Sequence, residues 1–302
     1  MASKIAPPEK IGFIGLGNMG GPMARRLAGA GYKLAVFDAS KEAVEKFAAD
    51  TPCDMPATLA DLGRSCRVVI TMLPNGQIVR EVLLDEGGVA SGLAEGSILI
   101  DMSSSSPVGT RETAEELAEL GFQMIDAPVS GGVKKAIDGT LAIMAGGDEA
   151  LIENCRDMLS TMGKVFVAGG VGCGHAMKAL NNFLSASNLA TAAEAVIAGQ
   201  RFGLDPKVMI EIFNASTGKN SATEHKYPAF ILTRTFNSGF FMGLMSKDLR
   251  LAVELAQSTG SPSKLLSDTK DLWEAAEEKY GFKSDSVEVV RFLEELAEGS
   301  DG

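Results

Sequence analysis

The feature that most constrains this chain is a glycine cluster ten residues from its start. A strand-like run over residues 11–15 ends in Gly15-Leu16-Gly17-Asn18-Met19-Gly20, and a helical pattern over residues 19–30 follows at once. The GxGxxG spacing is weak alone, but here it follows a strand, opens a helix and lies in a βαβ unit. A carboxylate, Asp38, stands eighteen positions after Gly20, at the end of the next strand-like run. In this setting Gly15 permits a tight turn, Gly17 lets a pyrophosphate approach the backbone, and Gly20 lets helix and strand pack closely. The helix N-terminus offers free amides and a partial positive charge to phosphates. Asp38 is expected to accept hydrogen bonds from an adenosine ribose and to repel a 2′-phosphate. The pattern therefore predicts NAD, while Arg25, Arg26 and Lys41 keep NADP open.

Short strand-like runs alternating with helical ones continue to about residue 170, the pattern of a largely parallel sheet. The run over residues 67–72 leads into Leu73, Pro74 and Asn75, which are expected on the cofactor's path across the sheet edge. From residue 173 to 202 comes an Ala-rich helical stretch, roughly 45 Å long if unbroken. Further helical patterns follow and strand signals almost vanish. The predicted organisation is a Rossmann-type α/β domain over residues 1–170 and an all-α domain over residues 171–302, joined by that long helix. An excess of 39 acidic over 28 basic residues gives a net charge of −11 and argues against a nucleic-acid partner. The opening MASKIAPPEK lacks the apolar core of a secretion signal. No apolar run approaches the ~20 residues of a membrane helix. Four scattered cysteines and two histidines suit no metal site, and the expected location is cytoplasmic.

Four ordered blocks resemble the β-hydroxyacid dehydrogenases, the 3-hydroxyisobutyrate dehydrogenase family: FIGLGNMGGPMA (13–24), DAPVSGG (126–132), GCGHAMKALNN (172–182) and SKDL (246–249). The resemblance implies an NAD-dependent enzyme interconverting a small β-hydroxy acid and its semialdehyde or keto acid. It makes Lys178 the catalytic residue, a proton acceptor in oxidation and a donor in reduction. Lys178 and Asn182 are four apart and share a helix face, with Asn181 beside them. Both asparagines are expected to orient the substrate. Ser130, Gly131 and Gly132 are expected to cradle its carboxylate. Lys247 is expected to reach cofactor or substrate. Ser103-Ser104 stands where the family often has Ser-Thr, so Ser104 retains the hydroxyl that contacts the cofactor. The family likeness and the apolar faces of the helices also imply a homodimer or homotetramer.

Other readings compete. One is a reductase of glyoxylate, succinic or tartronate semialdehyde preferring NADPH. Another is a decarboxylating relative of the 6-phosphogluconate enzymes, which would need more basic residues. Imine reductases share the architecture but as a rule lack the lysine. A non-catalytic NAD(P)-sensing protein belongs to a different class. Among the remaining residues, Asp248 is expected to cap a helix starting there, His175 to be structural, His225 to lie at the surface or near the substrate, and Met242 and Met245 to be core. The acidic C-terminal end is read as a solvated helix end, and residues 214–228 carry no assignment.

Overall fold

The computed structural model describes residues 4–299 and divides into two compact units, the first ending at Lys178 and the second beginning at Ala179. The first unit runs β1 (Lys10–Ile14), α1 (Gly20–Gly29), β2 (Lys33–Phe37), α2 (Lys41–Ala48), α3 (Leu59–Ser65), β3 (Val68–Thr71), α4 (Gly76–Leu84), β4 (Ile98–Asp101) and α5 (Pro107–Glu119). It continues through β5 (Gln123–Asp126), β6 (Val129–Ser130), α6 (Gly132–Asp138), β7 (Leu141–Gly146), α7 (Glu149–Ser160) and β8 (Gly163–Gly169) into α8 (Cys173–Phe202).

Strands β2, β1, β3, β4 and β5 lie side by side and parallel. Their side chains alternate between two covered faces, as buried parallel strands require. Val68, Ile70, Ile98 and Ile100 face Met23 and Leu27 of α1 and Leu151 and Cys155 of α7. Val69 and Leu99 face Leu62 of α3, Val79 and Leu83 of α4, and Leu117 of α5. The strand order reverses at β1, which has β2 on one side and β3 on the other. Such a switch point opens the crevice in which α/β sheets bind ligands. Beyond β5 the sheet becomes mixed, since β7 is antiparallel to β5 and β6 and parallel to β8.

Helix starts follow local chemistry. Ser40 accepts the Ala43 amide at the head of α2, and Asn75 accepts that of Ile78 at the head of α4. The long helix α8 takes its cap from another element. Asp126, at the end of β5, accepts the Gly172 amide on one carboxylate oxygen and the His175 amide on the other, both at 2.7 Å. Gly174 is needed here because a Cβ would collide with the Met144 carbonyl. At its far end α8 stops at Gly203 (φ +101°), with the Leu204 amide folding back to the Gly199 carbonyl.

The second unit holds the rest of α8, α9 (Pro206–Ala215), a π-helix (Ala222–Ile231), α10 (Met242–Ser258), α11 (Lys264–Tyr280) and α12 (Val289–Gly299). Its core gathers around Trp273, Tyr227, Met242, Met245, Leu249 and Val290. No described helix is long and apolar enough to cross a membrane.

Several local expectations change. Strand β6 and helices α3 and α6 appear where only loops were expected, and α11 starts at Lys264 rather than Ser261. The helix expected to begin at Asp248 begins at Met242. Met242, Met245, Leu249, Ala252 and Ala256 form one continuous apolar face, which places Asp248 in the helix interior and not at a cap. The last three residues of the acidic tail lie outside the described residues.

Replacing Asp126 by Ala would leave two buried amides without acceptors. The expected loss is about 2–4 kcal/mol of unfolding free energy, read from urea denaturation.

Candidate active site

The glycine loop joins β1 to α1, and its three glycines meet three different constraints. Gly15 sits at φ +97°, and a Cβ there would strike the Met72 carbonyl. A Cβ on Gly20 would strike the Gly15 carbonyl. A Cβ on Gly17 would meet nothing within 4 Å, so the loop is open on that side. Helix α1 has no side-chain cap, since Met19 stands at its N-cap position; the Gly21 amide donates to the Gly17 carbonyl and Pro22 carries no N–H, which leaves the Gly20 amide to face a ligand. An open backbone approach beside an uncapped amide fits a dinucleotide pyrophosphate.

Asp38 follows β2 and closes the loop from outside. Its Oδ2 accepts the Leu16 amide at 2.7 Å and its Oδ1 accepts the Ser40 amide at 2.8 Å. Each oxygen retains a lone pair for a ribose hydroxyl. A cleft of about 410 Å³ beside the loop is lined by Leu16, Gly17, Asn18, Arg25, Ser40 and Lys46, among others. Arg25 turns toward Asp50, with both guanidinium contacts at 3.2 Å. Arg26 bonds the Thr161 carbonyl and abuts Gly139. That places Arg26 away from the cleft, while Lys46, not singled out from the sequence, lines it.

The ends of β3 and β4 are tied through Asp101, which is fully buried. Its Oδ1 accepts the Thr71 hydroxyl and the Ser103 amide, both at 2.9 Å, and its Oδ2 accepts the Ser105 hydroxyl at 2.7 Å. The Ser103 hydroxyl accepts the Leu73 amide, which fixes the turn through Leu73 and Pro74. Ser104 is half-buried between the buried Ser103 and Ser105. His175 is buried as expected: its Nδ1 lies 2.8 Å from the Thr110 hydroxyl and its Nε2 lies 3.2 Å from the Ser103 carbonyl. Nε2 donates to the carbonyl, so both ring nitrogens have a partner and the side chain is held in place.

Ser130 ends β6, paired opposite Ala142 of β7. Gly131 (φ +138°) and Gly132 (φ +71°) follow, and α6 starts at Gly132. Two consecutive positive φ values select glycine at both positions. Both glycines are exposed, and the first-turn amides of α6 have no intrahelical acceptor.

Lys178 is buried, at 9% exposure, so it is not a solvated surface charge. Asn182, one helical turn later, is buried too, and its amide group donates to Asp248 Oδ2 at 2.5 Å while its Oδ1 accepts from Asn181 at 3.2 Å. Asp248 Oδ1 lies 3.5 Å from Lys247 Nζ and takes no hydrogen bond among the described residues. Asn181, Asn182 and Lys247 are thus gathered around Asp248, a residue that sequence reasoning assigned to a cap. The signal was present in the SKDL block, whose lysine and aspartate are adjacent.

The π-helix places Lys226 against α8, its Nζ 3.3 Å from the Ser185 hydroxyl. His225 beside it points outward, with 73% of its side chain exposed. Burial pushes the Lys226 amine down from 10.5 to about 8, with the Asp285 charge opposing. The unfolded chain holds that proton up to about 10.5, so between pH 8 and 10.5 it binds more protons than the folded chain. Stability from this group therefore rises with pH in that window, and its cost is complete below pH 8. Lys226→Met is expected to be more stable than the parent chain at pH 7. That advantage should shrink from pH 8 to 10.5 in urea midpoints measured across the range.

Comparison with known proteins identifies the family. Residues 10–172 match the family described as the NAD binding domain of 6-phosphogluconate dehydrogenase, and residues 172–293 match NAD-binding of NADP-dependent 3-hydroxyisobutyrate dehydrogenase. The chain is 38% identical over 290 residues to 2-(hydroxymethyl)glutarate dehydrogenase of Eubacterium barkeri, covering 95% of each protein. It is 37% identical over 302 residues to mitochondrial 3-hydroxyisobutyrate dehydrogenase of Bos taurus, covering 98% of this chain and 88% of that one. Among solved structures, Mycobacterium tuberculosis 3-hydroxyisobutyrate dehydrogenase with L-serine superposes with a TM-score of 0.87 at 33% identity, covering 94% of this chain and 99% of that one. The chain therefore belongs to the β-hydroxyacid dehydrogenase family, with that family's NAD(P)-binding domain and its dehydrogenase chemistry on CH–OH groups.

Proposed function

We propose that the protein oxidises a 2-substituted 3-hydroxypropionate, HOCH2–CH(R)–COO⁻, to the matching semialdehyde with NAD, and runs the reverse reduction. The observation that carries this reading is a buried lysine, Lys178, one helical turn from a buried asparagine that is itself held by Asp248. A lysine kept from solvent on an ordered helix face serves proton transfer better than solubility. The two relatives named for hydroxymethylglutarate and hydroxyisobutyrate act on compounds that share the HOCH2–CH–COO⁻ centre and differ in R.

NAD, when bound, would supply the acceptor for the hydride of the hydroxyl-bearing carbon. Lys178 takes the hydroxyl proton as the hydride leaves, and returns it to the oxygen in reduction. Asn182 orients the substrate hydroxyl and Lys178 by hydrogen bonds, with Asn181 supporting it. The Ser130 hydroxyl and the Gly131-Gly132 amides hold the carboxylate. Lys247 supplies a further cation to cofactor or substrate. The loop from Gly15 to Gly20, with Leu16, Asn18 and Met19, would hold the cofactor, and Leu73, Pro74 and Ser104 would hold it further along. Asp38 accepts the ribose hydroxyls, which makes NAD the preferred cofactor. Residues 1–170 serve the cofactor, and residues 171–302 serve substrate binding and self-association.

A homodimer or homotetramer is supported by exposed apolar residues at the end of α8 and on α9: Phe202, Leu204, Val208 and Ile212 are all at least half exposed. The four free thiols suit a reducing cytoplasm.

The decisive experiment follows nicotinamide absorbance with a panel of small hydroxy acids. The parent chain should turn over 2-substituted 3-hydroxypropionates with NAD at a kcat/KM at least about tenfold above NADP. Lys178→Ala should lower kcat by about 10²–10⁴ while NAD still binds. Unchanged turnover in that variant would remove Lys178 from the chemistry. Light scattering on the same preparation should give a mass of two or four chains.

A further inference from the structure

Lys226 has no part in the chemistry described so far, and its surroundings are unusual for a structural lysine. The described lysines of the helical unit are mostly neutralised at the surface: Lys264 pairs with Asp268, Lys270 with Asp271 and Glu274, and Lys219 with Glu224. Lys226 has no carboxylate within 4 Å among the described residues, and its hydrogen-bond partner is the neutral hydroxyl of Ser185. Asp285 is the acidic group whose charge it feels, but the oxygens of Asp285 are already taken by the Ser238 hydroxyl and by the Gly239 and Val287 amides. Its neighbour Glu224 is occupied by Lys219. A partly buried amine without a counter-ion costs stability, and burial lowers its proton affinity accordingly. Such a cost is retained where a ligand supplies the missing charge.

Position identifies the ligand. Ser185 is seven residues after Lys178 and three after Asn182 on the same continuous helix. Positions i, i+4 and i+7 form one stripe. Ser185, and the ammonium it contacts, therefore continue the face that carries Lys178 and Asn182, about 10 Å further along the helix axis. The geometry points to Lys226 as a specificity residue that binds a second carboxylate, at the end of the substituent R, so that the preferred substrate is a hydroxy dicarboxylate. This inference rests on the proposed function above and narrows R. A substrate whose R is a methyl group has its single carboxylate engaged elsewhere and nothing to offer this amine. One whose R is a carboxyethyl group presents a carboxylate on a flexible arm beyond the reacting centre. The Ser185 hydroxyl can donate to that carboxylate once the ammonium no longer has only the hydroxyl as its partner.

The test uses the full chain with NAD and two substrates that share the reacting centre: 2-methyl-3-hydroxypropionate and 2-(carboxyethyl)-3-hydroxypropionate. The parent chain should favour the dicarboxylate in kcat/KM by at least about tenfold. Lys226→Met should lower the dicarboxylate-to-monocarboxylate ratio at least about tenfold, with the loss falling on KM, and Lys226→Arg should restore most of the ratio. A purely structural lysine would not move the ratio, so an equal effect of Lys226→Met on both substrates overturns the inference. A parent chain that oxidises the methyl compound and not the dicarboxylate also overturns it, while leaving the proposed function intact. A parent chain that oxidises neither overturns both.

Discussion

Two hydrogen bonds to one buried carboxylate fix where the long helix α8 begins. Asp126 lies at the end of β5 directly opposite Gly146 of β7, and it accepts the Gly172 and His175 amides of the α8 N-terminus. Burial pushes its carboxyl up from the ordinary range, while the amides and the positive end of α8 oppose that shift. Close approach is what makes the arrangement possible. A Cβ on Gly146 would come within 2.5 Å of Asp126 Oδ1, and one on Gly174 would strike the Met144 carbonyl. His175 then fills the remaining space between Thr110 and Ser103. Lys178 is one turn beyond His175 on a helix whose first residues cannot shift without breaking these bonds. Under the proposed function, the precision that proton transfer demands of Lys178 is set by a buried acid at the end of β5.

The helical unit solves the same positioning problem with a different device. Asn182 alone could swing its amide group, because an asparagine side chain has free torsions and two indistinguishable ends. Asp248 removes that freedom by accepting one N–H, and Asn181 by donating to the other end. Asp248 in turn keeps Lys247 nearby at 3.5 Å. A buried carboxylate flanked by one amide and one ammonium is stable enough to persist and polar enough to organise a substrate hydroxyl. Both units therefore use a buried aspartate as the fixed point, one for a helix terminus and one for a side chain.

The parts that were legible in the sequence are those with period or punctuation. The glycine loop, Asp38, the alternation of strands and helices and the whole of α8 could be read because Gly172 and Gly203 bracket an unbroken apolar-rich run. Strand β6 could not be read, since two residues carry no alternation. Helix α6 follows a glycine pair that reads as a turn. Asp248 was misplaced because charged residues before an apolar run resemble a cap, while the true start at Met242 is set by packing against Trp273 and Leu249. The π-helix was the least legible element. Its wider turn breaks the 3.6-residue rule by which faces are assigned, and Pro228 within it reads as a helix breaker. Lys226 reaches Ser185 only through that irregular turn, so spacing rules give no hint of its position.

Electrostatics explains why so few cations matter. A chain with net charge −11 repels anionic metabolites at long range, and surface ion pairs do little to offset this because water and salt screen them. Attraction must come from charges placed where screening is weak. The glycine loop itself carries no cation and presents backbone groups at a helix end, which do not titrate, while Arg25 and Lys46 line the cleft beside it. Under the proposed function, buried Lys178 and partly enclosed Lys226 are the groups placed where screening is weak, and there one ammonium outweighs several exposed ones. Spacing along α8 matters as much as burial: two ammonium groups in contact would depress each other's proton affinity, whereas Ser185, the partner of Lys226, lies two turns of helix from Lys178.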